Sequence, residues 1–207
     1  MLPFPGSSAP SVMTSGPGTG GSRRAWIVRA GACVIAAGLI CTLLVVSSLH
    51  GQRSTRTRVS PHETASSVVD GATIDITYGR PSMRARKIFG SLVPYERVWM
   101  PGADEATIFQ TSAPLRFGDF RLPAGSYSLY TIPSEKRWTL IINKMTGQFH
   151  TYYPEDHDLA RLPMTAERLS TPVEELTIGA VARPQGGGAL QLEWETTRVW
   201  APFVVLR

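Results

Sequence analysis

The sequence predicts an all-β domain, an antiparallel β-sandwich or barrel-like fold, carried behind an N-terminal transmembrane helix. Three observations predict it. Apolar residues alternate with polar ones in short runs after residue 71, as in Thr73–Tyr78, where Ile74, Ile76 and Tyr78 face one way and Thr73, Asp75 and Thr77 the other. Turn residues separate these runs at close spacing, and no long helical period interrupts them. Before them lies one uncharged stretch of 20 residues, Ala30 to Leu49.

In chain order, residues 1–22 are rich in Gly, Ser and Pro with scarcely a large apolar side chain after Phe4, a composition that predicts a disordered tail. Met13 is an alternative start. Residues 25–49 are expected to form a membrane anchor or uncleaved signal, because 20 residues at 1.5 Å each span the hydrocarbon core of about 30 Å. A cleaved signal is the alternative, with Val46 and Ser48 before the cut; the run exceeds the usual signal core of about 7–15 residues. Arg23, Arg24 and Arg29 precede the span and Arg53, Arg56 and Arg58 follow it, so charge alone barely sets orientation. A short N-terminal tail before a single span predicts a domain on the extracytoplasmic side, with a reverse anchor as the alternative.

Residues 50–70, rich in Ser, Thr and Arg and containing Pro61, read as a linker. Within 71–207, Thr107–Thr111 has strand-forming residues, and Leu115–Leu122 is broken at Gly118-Asp119 as a hairpin turn breaks a strand pair. Ser126–Ile132 and Trp138–Ile142, joined by Pro133 to Lys136, make a second predicted hairpin. Met164–Leu169 reads as a brief helix with Thr165 as its cap. Leu190, Leu192 and Trp194 alternate with Gln191, Glu193 and Glu195, and Val199–Leu206 is apolar on both faces except for Pro202, as a core strand would be. No internal repeat is present.

The charge is unevenly placed. The chain has 21 Lys and Arg against 16 Asp and Glu, yet residues 1–58 hold six Arg and no acid, leaving a near-neutral domain and arguing against a nucleic-acid partner. Both cysteines, Cys33 and Cys41, lie in the apolar span, so the domain has no thiol nucleophile, disulfide or cysteine metal site.

The segment from Tyr78 to Thr107 is neither strand nor helix by pattern. Gly79, Pro81, Gly90, Pro94, Pro101 and Gly102 interrupt it, while Ile88, Phe89, Leu92, Val93, Tyr95, Val98, Trp99 and Met100 require it to pack. Long irregular connections in compact domains tend to be functional, so the ligand site is expected here. The candidate ligand-binding residues are Arg80, Arg86, Lys87, Trp99, Asp104, Glu105 and, from a later loop, His150.

Arg80, Arg86 and Lys87 offer an anion-binding cluster, Arg through bidentate contacts; solvated cations, or ions paired with Asp104 and Glu105, are the plainer reading. Asp104 and Glu105 suit acid and base roles in hydrolysis, but a turn or cap explains Gly-Ala-Asp-Glu more simply. His150, Glu155, Asp156, His157 and Asp158 invite a metal reading, yet the spacing matches no ligand signature and a polar surface loop accounts for it equally. Tyr127, Tyr130, Trp138, Tyr152, Tyr153 and Trp194 are expected mainly in the core rather than as stacking platforms. No Gly-x-Ser-x-Gly elbow is present. No cofactor, metal or catalytic residue is predicted; the expected partners are the membrane, through residues 30–49, and a small ligand or envelope protein.

At YGRP (Tyr78 to Pro81), RKIFG (Arg86 to Gly90), VPYERVW (Val93 to Trp99), GADEAT (Gly102 to Thr107) and LPAGSYSLYTIP (Leu122 to Pro133) the sequence resembles one bacterial family, domain of unknown function 2911. The likeness continues through Trp138, Asn143 and LEWE at Leu192–Glu195. It implies a secreted or membrane-attached β-rich domain and carries no activity, substrate or cofactor. Met100, Pro101 and Asp104 stand where the family commonly has arginine, threonine and asparagine, so one cation is lost and one anion gained. The functional expectation is a membrane-anchored extracytoplasmic domain that binds a small ligand, glycan or protein partner; a hydrolase using Asp104 and Glu105, or a structural envelope component, are the alternatives.

Overall fold

The computed structural model describes residues 60–207; the tail, anchor and signal expectations, and residues 50–59 of the linker, lie outside the described residues. Within the described residues nine strands form one open antiparallel sheet: β1 (His62–Val69), β2 (Ala72–Gly79), β3 (Ile108–Thr111), β4 (Leu115–Phe117), β5 (Phe120–Leu122), β6 (Gly125–Ile132), β7 (Trp138–Asn143), β8 (Asp158–Ala182) and β9 (Gly188–Val205). Their order is β1-β2-β3-β6-β7-β8-β9-β4-β5. The predicted hairpins at Gly118-Asp119 and at Pro133–Lys136 are β4–β5 and β6–β7. Among the described residues no helix is long and apolar enough to cross a membrane.

Two sequence expectations need correction. The linker assigned to 50–70 ends earlier, because His62–Val69 is a strand paired residue for residue with β2. Its polarity misled: β1 is an edge strand with one neighbour, and its outward Thr64, Ser66 and Val68 are exposed. The pair is closed by Asp70-Gly71, whose φ angles of 46° and 85° give the two-residue turn that matches strand twist. Met164–Leu169 is likewise not helical; it belongs to β8, where Thr165 to Arg168 pair with Trp200 to Thr197. Met, Ala, Glu, Arg and Leu are good helix formers, but propensity differences are under about 1 kcal/mol per residue and cross-strand pairing overrides them.

The two long strands let a single sheet fold back on itself, an arrangement consistent with a sandwich. β8 pairs with β7 through Asp158–Met164 and with β9 from Thr165 to Ala182. Its register shifts on either side of Val173, next to Pro172, which has no N–H to give a ladder. Opposite Val173 is Glu195, at φ 56°. Beyond that break β8 reaches the first hairpin: the Ile178 N–H donates to the buried Tyr78 hydroxyl at 3.0 Å. The main core between them includes Ile74, Ile76, Phe109, Leu129, Leu140, Ile178, Leu192 and Phe203.

The Tyr78–Thr107 segment serves both faces of the sheet. Ile88, Phe89 and Val93 enter the main core, while Met100 and Ala106 join Tyr130 and Ile141 in a second cluster. Alternation along β6 makes this necessary: Leu129 faces one core and Tyr130 the other. The segment then closes on its own beginning. A Cβ on Gly79 would lie 2.2 Å from the Ala103 carbonyl oxygen, so only glycine lets the two ends of the loop touch.

Candidate functional site

Where the long segment passes the end of the main core, four aromatic rings meet. Trp99 stacks on Trp194, centroids 6.1 Å apart and planes 16° from parallel. Phe89 meets Trp138 edge-on at 4.9 Å and Trp99 at 5.8 Å. Such a cluster fixes the loop rigidly, since each buried ring contributes packing area and a directional ring contact. Backbone bonds hold the rest: Trp99 N–H donates to the Thr131 carbonyl and Thr131 N–H to the Trp99 carbonyl, both at 2.7 Å. The Glu96 N–H donates to the Pro133 carbonyl at 2.9 Å.

Beside the Trp99–Trp194 stack opens a cleft of about 480 Å³, within the range of about 300–1,000 Å³ typical of small-molecule sites. Its apolar side is Leu92, Val93, Val98, Trp99 and Trp194. Its polar side is Arg84, Arg86 and Arg97 with Ser60, Ser82 and His150, and no carboxylate lines it. Arg84 and Ala85 hold φ angles of 50° and 58°, and Glu96, beside Arg97, holds 59°. Non-glycine residues in this region cost free energy and gather where function demands a particular geometry. Arg86 is the best fixed of the three cations, donating from Nε to the Met83 carbonyl at 3.0 Å and from Nη2 to the Ser82 carbonyl at 2.9 Å.

Of the seven sequence-predicted ligand residues, Arg86, Trp99 and His150 line the cleft. Arg80 does not. Its guanidinium is occupied by Glu63 at 2.8 Å, the Leu176 carbonyl at 3.2 Å and the Thr177 hydroxyl at 3.1 Å, with Glu175 at 3.6 Å. Glu105 lies against His62, Oε2 to Nε2 at 2.7 Å. The expected Arg80–Glu105 pair is thus replaced by contacts to successive residues of β1, whose side chains point to opposite faces. Asp104, at φ 66°, accepts both the backbone N–H and the ring Nδ1 of His150 on its carbonyl oxygen, each at 2.9 Å; this is the turn role rather than an acid's. Lys87 is exposed on the loop and is not part of the cleft wall.

The HTYYPEDHD loop is tied down by structural contacts. The buried Asn143 amide donates to the Pro154 carbonyl at 2.8 Å and to Asp158 at 2.9 Å, and its oxygen accepts the Met145 N–H. Arg161 meets Glu155 and Asp158, and the Tyr153 hydroxyl donates to Asp158. Burial, then the Asp158 carboxylate, push the Tyr153 phenol well above its ordinary range. Among the described residues no three His, Cys, Asp or Glu side chains gather as a metal site requires.

Arg84 and Arg97 were not among the sequence-predicted ligand residues, and Leu92 and Val98, expected to pack, are instead exposed on the cleft wall. Their signal was visible only as cations and apolar residues inside one loop; convergence on a common cleft depends on the fold.

The described residues therefore define a β-sheet domain with an arginine-lined cleft built on one long loop. The chain belongs to the family of proteins of unknown function designated DUF2911, whose model matches residues 60–203. No curated protein and no solved structure matches the chain.

Proposed function

We propose that the protein is a binding module, tethered by residues 30–49 to the extracytoplasmic face of a membrane, whose cleft takes a small organic anion. The observation that carries the reading is the composition of the cleft: three arginines, no carboxylate, and an apolar wall ending in stacked Trp99 and Trp194. Arginine forks bind carboxylate and phosphate oxygens through charge-assisted hydrogen bonds, and the apolar wall gives the rest of such a molecule a place out of water. The hydrolase alternative is less well supported, because Asp104 and Glu105 do not line this cleft. The uncharged run Ala30–Leu49 supports the tether.

Titration of the purified full-length chain, followed by tryptophan fluorescence, tests the site. Benzoate and phenyl phosphate are expected to give saturable changes that neutral benzyl alcohol does not, and that Trp99→Phe diminishes. Identical responses to charged and neutral probes, or none, would remove the binding reading and leave a structural envelope role. Mass spectrometry of the mature N-terminus tests the tether, since a chain starting near Leu49 means that a signal has been cut away.

A further inference from the structure

We infer that the anion taken by the cleft is a phosphate ester with an apolar body rather than a simple carboxylate; this rests on the anion-binding reading above. Three of the protein's other arginines are held by acids. Arg80 is held by Glu63 and Glu175, Arg161 by Glu155 and Asp158, and Arg198 by Glu167 and Glu193. Each of these guanidinium groups has two carboxylates. Among the described residues, Arg84, Arg86 and Arg97 have no ion-pair partner. Exposed arginines elsewhere are solvated too, but these three line one cleft with no acid in its wall.

Charge and oxygen counting then select the ligand. A carboxylate brings one negative charge and two oxygens, which one arginine fork can saturate. A phosphate monoester near neutral pH brings about −1.5 to −2 and three acceptor oxygens arranged tetrahedrally, enough to engage more than one fork. Arg86 spends two N–H groups on the Ser82 and Met83 carbonyls, which fixes its plane and leaves its remaining donors for a ligand. Ser60 and Ser82 add hydroxyls to the same wall. The volume exceeds what an inorganic anion fills, and Leu92 and Val98, 48% and 37% exposed, offer apolar surface beside the cations for an ester's organic part.

The deciding experiment compares phenyl phosphate, benzoate and dihexanoyl phosphatidic acid on the full-length chain in detergent, with dihexanoyl phosphatidylcholine as the lipid control. Phenyl phosphate is expected to bind about tenfold more tightly than benzoate, the equivalent of one added charge-assisted hydrogen bond. Arg97→Ala and Arg84→Ala should each weaken phenyl phosphate about tenfold while the melting temperature stays near that of the parent, and Arg97→Glu should abolish binding. Preference for phosphatidic acid over phenyl phosphate assigns the ester to a lipid headgroup; the reverse assigns it to a soluble organic phosphate. Benzoate binding as tightly as phenyl phosphate overturns the phosphate inference and leaves the anion site standing. Failure of every anion overturns both.

Discussion

Arg80, at the end of β2, is bound to Glu63 of β1 at 2.8 Å and reaches across to the Leu176 carbonyl and Thr177 hydroxyl of β8. This one side chain ties the edge hairpin to the far part of the sheet, and it is only 28% exposed. Arg80→Ala would leave those acceptors unpaired, at an expected cost of about 2–4 kcal/mol. Arg80→Lys should recover little of it, because an ammonium has no planar fork. Urea denaturation of double-mutant cycles checks the geometry: Arg80 should couple to Glu63 more strongly than to Glu105. Equal coupling, or a fully stable Arg80→Ala variant, contradicts the contact network.

Trp194 is 2% exposed, stacks on Trp99 and donates its indole N–H to the Glu174 carbonyl at 3.2 Å. Trp194→Ala should therefore destabilise the domain by about 3–5 kcal/mol, through lost transfer energy and the void left under the cleft. Trp194→Phe should cost less and alter the fluorescence response to ligand. An unshifted denaturation midpoint for the alanine variant would place the ring outside the core.

How legible the fold was depended on whether the local signal survived the sheet's context. β2, the β4–β5 hairpin and the β6–β7 hairpin were readable, because each has a period-two run or a compact turn. β1 was missed although Asp70-Gly71 is a strong hairpin signal; an edge strand with Thr and Ser facing out lacks the apolar run that usually draws notice. β8 was missed because Met164–Leu169 carries helix formers whose fate is set by partners about 30 residues later, Thr197–Trp200. That an irregular, packed connection runs from Tyr78 to Thr107, where the proposed cleft lies, was legible from its mixture of glycine, proline and apolar residues. The identities of its side chains were only partly so. Arg80, Arg84, Arg86 and Arg97 look alike in a loop, and what separates a structural tie from a cleft cation is a contact such as Arg80 to Thr177, set by the fold alone.

Gly79 offers a test of how the loop closes. A methyl group there would stand 2.2 Å from the Ala103 carbonyl oxygen, a backbone atom without freedom to swing aside. Gly79→Ala is expected to displace the 101–107 segment and lower stability by about 1–3 kcal/mol, the range for overpacking a tight site. Gly179, on β8 with nothing within 4 Å of its Cβ position, is the matched control and should accept alanine with little change. Comparable thermal shifts in the two variants would mean that Ala103 does not rest on Gly79.

The buried tyrosines make the domain sensitive to alkali. Burial pushes the Tyr78, Tyr130 and Tyr153 phenols above the ordinary value of 10.0, since a phenolate in those sites would lose its hydration. In the unfolded chain the same groups release their protons near pH 10, so above that pH the unfolded state binds fewer protons than the folded one. Stability that is fully present below about pH 10 is then lost as pH rises toward the folded-state values. Urea midpoints measured from about pH 8 to about pH 11.5 should be flat at first and fall steeply beyond about pH 10. Tyr153→Phe removes both the phenol and its hydrogen bond to Asp158; it should lower stability at neutral pH by about 1 kcal/mol and make the alkaline fall shallower. A midpoint that stays level through the alkaline range would show that these phenols ionise as readily folded as unfolded. The same linkage bears on the test of the tether: an alkaline wash of membranes near pH 11 lowers the stability of this domain while leaving a spanning segment inserted, so retention has to be followed by antibody to a C-terminal tag rather than by ligand binding.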